Sequence, residues 1–168
     1  MNEQGEIQIQ GHNLFSTLVA FAEIPNSTKL NTELRVAIEA RMGSHPTTSH
    51  SNLGGWQSTW DLAEWCGDAA KIILDHAVAM ANRLTCDRQG NPVKVDWHLN
   101  AWANVNGHGH GNEFHTHPGC FWSGTYFVDD GGSSGDSSLG GEFEIQDPRG
   151  IAPAMYAPNL AINVPGGL

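Results

Sequence analysis

The chain has 168 residues, of which 39% are hydrophobic and 15% are charged, and this length is enough for one domain with a hydrophobic core. Its formal net charge of -10 argues against a general nucleic-acid-binding protein and against docking on an anionic membrane surface, because both functions need a basic surface. The low charged fraction and the 20 glycines favour a loop-rich and strand-rich protein over a helical bundle.

The N-terminal half is predicted to contain two short strands and then two helices. Residues 7–10 and 14–21 have the apolar and β-branched content of early strands. A helix is predicted over about residues 32–41, with Thr28 or Asn31 as its cap, because Leu34, Ile38 and Met42 recur at helical spacing. A polar surface loop follows over residues 45–55. The clearest helix covers residues 68–84, where His76 falls on the apolar face and is predicted to be a hydrogen-bonded core histidine.

After Pro92 the pattern changes to strands, over residues 93–105, 115–117, 120–128, 141–146 and 160–164. Helical support over about residues 28–86, followed by barrel strands over about residues 93–168, predicts an α+β, mainly β protein whose strands form a jelly roll or barrel. We expect one domain over residues 1–168. The sequence ends one residue after a turn, at Leu168, so we expect further C-terminal strands that the sequence does not include.

His115 and His117 are the strongest candidate site residues. Successive side chains of a strand point to opposite faces, so the two imidazoles would share a face, about 7 Å apart at Cα, while Thr116 points away. Such a pair can converge on one cation, and imidazole binds Fe, Zn, Cu and Ni alike. The alternative is a pair of polar residues on a solvated strand face, because a short motif alone is weakly specific.

The neighbouring strands supply a candidate pocket lining. On the strand over residues 93–105, one face carries His98, Asn100, Trp102 and Asn104. A face of amides, an imidazole and an indole suits a pocket better than a core. Tyr126 either contacts a bound carboxylate or is a packed aromatic, and Arg149 either pairs with a carboxylate or is a surface arginine.

The remaining histidines are weaker candidates. His108 and His110 lie in a glycine loop that we expect to be a polar lid, and His45 and His50 are expected at the surface.

In combination, these motifs resemble the bacterial family of 2-oxoglutarate and Fe(II)-dependent oxygenases. The matching segments, in chain order, are Gly54-Gly55-Trp56-Gln57-Ser58, Trp102-Ala103-Asn104, Asn112 with His115-Thr116-His117-Pro118, Ser123-Gly124-Thr125-Tyr126-Phe127, and Gly141 through Asp147-Pro148-Arg149. The resemblance implies a double-stranded β-helix (a jelly roll or cupin-like barrel) with supporting N-terminal helices, and Fe(II) and 2-oxoglutarate as cofactors.

The resemblance also implies roles for individual residues. His115 and His117 would be metal ligands and catalytic residues, and His117 stands where the wider superfamily has a carboxylate, in the HxH form of this subgroup. The candidates for binding the co-substrate are Asn104, Tyr126, Asn112, Trp102 and Arg149. The distal histidine and the main co-substrate arginine would follow Leu168. The implied reaction is hydroxylation of a C–H bond in a small molecule or a peptide.

Two other classes stay open. A cupin, acting as a metal-dependent isomerase or dioxygenase without 2-oxoglutarate, shares a glycine six residues before His115, but its usual glutamate is missing after His117. A non-catalytic ligand-binding or sensor jelly roll would have the same fold. We expect no nucleic-acid or membrane partner. The sequence is compatible with both a monomer and a homodimer.

The three cysteines indicate the compartment. Cys66, Cys86 and Cys120 are an odd, scattered set without a CxxC pair, which favours a reducing environment. The N-terminus lacks a basic segment followed by an apolar run, and the chain lacks an apolar run long enough to span a bilayer. We therefore expect a cytoplasmic protein.

Overall fold

The computed structural model describes residues 17–147. The predicted strands over residues 7–10 and 160–164, and the candidate residue Arg149, lie outside this range. The described residues divide into residues 25–143, which contain every helix and strand reported below, and the flanking segments 17–24 and 144–147, which have neither.

The first helix, α1, spans Thr28–Ser44 and confirms the helix predicted over residues 32–41. It begins after a turn in which Asn26 adopts φ 55°, and it ends at His45, whose backbone is extended. Two ion pairs at i,i+4 spacing, Lys29 with Glu33 and Arg35 with Glu39, lie along its exposed side. Leu30 and Leu34 are its buried residues, and Leu34 is completely inaccessible to solvent.

Two further helices follow the polar loop. The short helix α2 spans Leu62–Trp65, and α3 spans Gly67–Leu84, one residue longer than predicted. Gly67 has φ +66°, a conformation that glycine adopts without steric cost, and it allows the chain to turn from α2 into α3. α3 packs against both α1 and α2 and buries Ala69 and Ala70, whose small side chains permit close approach.

The described strands are short and form two antiparallel pairs. β1 spans Asn52–Leu53, β2 spans Trp56–Gln57, β3 spans Asn104–Val105 and β4 spans Gly111–Asn112. β1 pairs with β4, and β2 pairs with β3. The loop that contains Gly54-Gly55 is thereby joined to the region that carries the candidate site. The α+β class is confirmed. The jelly roll stays a prediction, because the sheets among residues 17–147 have two strands each.

Several predicted strands differ from the structure. Of residues 93–105 only Asn104–Val105 form a strand, and no strand lies over residues 17–21, 115–117, 120–128 or 141–146. The side-chain alternation over residues 93–98 is nevertheless present, with Val93, Val95 and Trp97 less exposed than the residues between them. Alternation reports which face a residue occupies, whereas a strand also needs a backbone hydrogen-bonding partner.

His76 was predicted in the core, and this prediction was wrong. The side chain is exposed on α3, and its Nδ1 lies 2.8 Å from the carbonyl oxygen of Ile72, one turn earlier. Ile72, on the same helix, is itself 43% exposed. The buried part of α3 is at its N-terminal end, so the apolar periodicity of the helix overstates how much of that face is covered.

Burial and helix length give two further results. Cys66 is buried between α2 and α3, and desolvation raises the pKa of its thiol. None of the helices within residues 17–147 is long and apolar enough to cross a membrane.

The packing of α1 gives the first prediction. Leu34→Ala should lower the free energy of unfolding by about 2–5 kcal/mol, because it leaves a cavity at a fully buried position. Val36→Ala is the matched control on the same helix. Val36 is 62% exposed, so its truncation should change stability by no more than about 0.5 kcal/mol. Urea unfolding followed by circular dichroism measures both, and equal losses would contradict the assigned packing.

Candidate metal centre

The imidazoles of His115 and His117 converge tip to tip. Their Nε2 atoms are 2.9 Å apart, and the ring centroids are separated by 4.8 Å. The predicted pairing of the two rings is therefore present, although the segment that carries them is not a strand.

Each ring is held from its other side by a second hydrogen bond. Nδ1 of His115 donates to the carbonyl oxygen of Glu113 at 2.7 Å, and Nδ1 of His117 lies 2.6 Å from the Ser123 hydroxyl. Histidines that bind metals commonly make such a bond through the nitrogen that does not ligate, and the bond fixes the ring and its tautomer. Both Nε2 atoms are left without a partner other than each other among the contacts described.

This arrangement fits two adjacent ligands of a transition metal. Metal to imidazole distances of about 2.0–2.1 Å place two neighbouring ligand atoms roughly 3 Å apart. The Nε2 atoms of His115 and His117 have this separation. Two imidazoles suit Fe(II), and equally Zn, Cu or Ni, so the donor set fits the metal implied by the resemblance without selecting it.

No third side chain completes the ligand set within the described part of the chain. Among residues 17–147 there is no group of three histidine, cysteine, aspartate or glutamate residues placed to hold a metal. Asp129 and Asp130 are engaged elsewhere. Arg35 Nη1 donates to Asp129 at 2.7 Å, while Asp130 accepts backbone N–H groups of its own loop, and hydrogen bonds from Ser134 lower its pKa.

Indole rings form one wall beside the pair. Trp102 meets His117 edge to face, with ring centroids 5.5 Å apart, as predicted for a residue on the pocket face. Trp60 lies 6.1 Å from Trp102, and His50 lies 5.3 Å from Trp60. A connected row of aromatic rings therefore runs from His117 to His50, and Trp60 in the middle of the row is 53% exposed.

The Gly54-Gly55-Trp56-Gln57-Ser58 segment positions this wall. Ser58 N donates to the carbonyl oxygen of Ala103 at 3.0 Å, and Ser58 Oγ accepts from Ala103 N at 3.0 Å. The pairing of β2 with β3 adjoins these bonds, since Gln57 directly precedes Ser58 and pairs with Asn104, which directly follows Ala103. Trp102 is thus fixed between the bridge that joins Ala101 to Asp61 and the bonds to Ala103.

The other strand pair positions the first histidine. β4 pairs with β1, and Glu113 N then donates to the carbonyl oxygen of Ser51 at 2.8 Å. The Glu113 peptide is therefore held against the preceding loop. Its own carbonyl oxygen is the acceptor for His115, so the pairing of β1 with β4 determines where that imidazole points.

Two of the predicted co-substrate residues are amides in this region. Asn112 Oδ1 accepts from Asn106 at 3.2 Å, and Asn112 Nδ2 donates to Ser51 Oγ at 3.2 Å. Asn104 is exposed on β3, in register with Gln57. The structure therefore places Asn112 in an amide network and leaves Asn104 accessible.

Tyr126 is joined to a helix. Its hydroxyl donates to Asn31 Oδ1 of α1 at 2.5 Å. The partner of Tyr126 in this structure is therefore an amide rather than a carboxylate or the backbone.

Arg35 lies one turn after Asn31 on α1 and pairs with Glu39 and Asp129. The hydrogen bond and charge of Glu39, followed by the charge of Asp129, raise the pKa of this guanidinium.

The glycine loop and one described cleft do not include the two candidate ligands. Nδ1 of His110 accepts from Gly107 N at 3.1 Å, so this histidine is tied into its own loop. A cleft of about 630 Å³ is lined by Phe127, Asp129, Glu142 and their neighbours and includes neither His115 nor His117. Because the cleft lacks the converging imidazoles, the site is assigned by its donor atoms and not by cavity size.

Two residues of the site were missed by the sequence reasoning. Ser123 lies six residues after His117, and a local signal was present. His117-Pro118-Gly119-Cys120 is a type II turn sequence, Gly119 has φ +84°, and Cys120 N donates to the His117 carbonyl oxygen at 3.2 Å. This turn reverses the chain and returns Ser123 to His117. Trp60 had no such signal, because its contact with Trp102 is long-range.

Comparison with known protein families agrees with this geometry. Residues 100–161 match a family model described as "Putative 2OG-Fe(II) oxygenase". The chain resembles this oxygenase family over that segment. The match confirms the predicted resemblance, and the matched segment includes His115, His117, Trp102 and Ser123. No curated protein and no solved structure matches the chain.

The loop beneath the site gives the second prediction. In Gly55→Ala, the new Cβ would lie 2.5 Å from Asn106 Oδ1 and 2.8 Å from the Val105 carbonyl oxygen, on a backbone with φ +67°. We expect a loss of about 1–3 kcal/mol in the free energy of unfolding. Gly43→Ala is the matched control, since it lies in α1 with nothing within 4 Å, and it should stabilise by about 0.5–1 kcal/mol. Thermal unfolding of both variants measures this, and a Gly55→Ala protein as stable as the wild type would contradict the assigned loop.

Proposed function

We propose that the chain is an oxygenase dependent on Fe(II) and 2-oxoglutarate, with His115 and His117 as two of its iron ligands. The single observation that carries the proposal is the 2.9 Å approach of their Nε2 atoms, because that separation suits neighbouring ligands of one metal ion. The family match over residues 100–161 supports the oxygenase class.

The chemistry would come from the cofactors, with the protein supplying orientation. When bound, Fe(II) and 2-oxoglutarate would use dioxygen as the oxidant, so that the co-substrate is decarboxylated to succinate and carbon dioxide and a C–H bond of the substrate is hydroxylated. His115 and His117 would hold the metal, and Trp102 would shield His117 from water on one side. The Glu113 carbonyl and the Ser123 hydroxyl would keep both rings turned toward the metal.

The proposal assigns co-substrate contacts to Asn104, Asn112, Tyr126 and Arg149, in addition to Trp102. Asn104 is exposed on β3 and is accessible to a ligand as it stands. Tyr126 donates its hydroxyl to Asn31, so it would have to exchange this partner in order to donate to a carboxylate. The substrate would be a small molecule or a peptide, and the protein would act in the cytoplasm.

Anaerobic titration tests the proposal. Addition of Fe(II) and then 2-oxoglutarate to the wild-type chain should produce a weak visible charge-transfer band, which appears only when both are present. His115→Ala and His117→Ala should each weaken metal binding by about 100-fold or more, since the loss of a ligand costs at least as much as the loss of its outer-shell partner. Binding of Co(II), measured by calorimetry, gives the same comparison without oxygen sensitivity.

His76→Ala is the matched control for these substitutions. It removes an exposed imidazole from α3 and should leave metal affinity unchanged. Metal binding that is lost in the two site variants, with no band on addition of 2-oxoglutarate to the wild type, would favour a cupin-type metal site. Equal affinity of the two site variants and the wild type would refute the assignment of the ligands.

A further inference from the structure

We propose that Ser123 is a positioning residue that stabilises the tautomer of His117 favoured by His115, and that its hydroxyl serves the ring both without a metal, as a donor, and with a metal, as an acceptor. The first half of this proposal follows from the hydrogen bonds of the metal-free protein. The second half rests on the proposed function.

The protons of the metal-free pair can be assigned one bond at a time. The carbonyl oxygen of Glu113 can only accept, so His115 carries its proton on Nδ1 and, when neutral, has a lone pair on Nε2. The contact of 2.9 Å between the Nε2 atoms then requires that His117 Nε2 carries the proton and donates it. His117 Nδ1 is consequently an acceptor in the neutral pair.

Ser123 is the group that satisfies this acceptor. Its Oγ lies 2.6 Å from His117 Nδ1, so its hydroxyl donates there. The chain of donors therefore runs from Ser123 through His117 and His115 to the Glu113 carbonyl oxygen. Each bond in this chain favours the next, because each ring can carry only one proton while neutral.

Metal binding reverses the direction of one of these bonds. A metal held by both Nε2 atoms needs a lone pair on each, so the proton of His117 has to reside on Nδ1 instead. Nδ1 then donates to Ser123 Oγ, which can accept because a hydroxyl is both donor and acceptor. A side chain without a hydroxyl at position 123 would leave His117 unsupported in both states.

The segment around Ser123 is anchored on two sides. Trp122 Nε1 donates to Thr85 Oγ1 at 2.9 Å, directly after α3, and Tyr126 donates to Asn31 of α1. The turn at Gly119 fixes the approach from His117. Ser123 itself is exposed, so a threonine can be accommodated there while the hydroxyl is retained.

Nitrogen NMR of the metal-free chain tests the first half. In protein labelled with ¹⁵N-histidine at mildly alkaline pH, His117 of the wild type should have the proton on Nε2, with the opposite tautomer at His115. Ser123→Ala should convert the His117 signals to a mixture of tautomers, and Ser123→Thr should restore the wild-type pattern. An unchanged His117 tautomer in Ser123→Ala would overturn the proposal.

Metal affinity tests the second half. Ser123→Ala should weaken binding of Co(II) by about tenfold, at the lower end of the outer-shell range because the site is exposed, and Ser123→Thr should stay within about twofold of the wild type. Equal weakening in both variants would show that the volume at position 123 matters rather than the hydroxyl, and would overturn the proposal.

The two proposals fail in different ways. If His115→Ala and His117→Ala bind Co(II) as tightly as the wild type, the proposed function and the second half of this inference fail together, while the tautomer result decides the first half. If those two variants lose binding but Ser123→Ala retains it, the role of Ser123 in metal binding is overturned and the proposed function stands. Circular dichroism of each variant confirms that the fold is retained.

Discussion

Two imidazole nitrogens 2.9 Å apart cannot both present lone pairs to each other without a proton between them. This constraint organises the site. A single shared proton satisfies it, the hydrogen bond to the Glu113 carbonyl oxygen determines which ring carries that proton, and the bond to Ser123 stabilises the same arrangement. A metal bound by both Nε2 atoms would replace the hydrogen bond between the two rings, and each Nε2 would then direct its lone pair to the metal.

The surrounding fold places the groups that hold this pair. β1 and β4 fix the peptide of Glu113, and the bonds between Ser58 and Ala103 fix the segment that carries Trp102. α1 and the end of α3 hold the segment around Ser123 through Asn31 and Thr85. The helical part of residues 25–143 is therefore a scaffold of the candidate site, although neither His115 nor His117 lies on a helix.

The parts of the site that depend on local sequence could be predicted. The alternation around Thr116 paired His115 with His117, and the helical periodicity located α1 and α3 within a few residues. The order of motifs led to the family resemblance that the match over residues 100–161 confirms. Each of these inferences uses a spacing that is short along the chain.

The parts that depend on long-range packing could not be predicted. The contact of Trp60 with Trp102 joins residues far apart in sequence, and the engagement of Tyr126 by Asn31 joins residues separated by 95 positions. Strand formation fails over most of residues 93–105 for a related reason, since an alternating pattern does not supply a hydrogen-bonding neighbour. His76 is the corresponding case on a helix: apolar periodicity identifies a face of α3, but it does not show whether another part of the chain packs against that face, and His76 is exposed.

X-ray absorption spectroscopy of the chain loaded with Fe(II) under anaerobic conditions tests the central claim most directly, because it counts imidazole ligands at the metal. The account predicts two imidazoles in the wild type and one in His115→Ala and in His117→Ala. Two imidazoles in all three proteins, or none in the wild type, would contradict the claim that these two rings form the metal site.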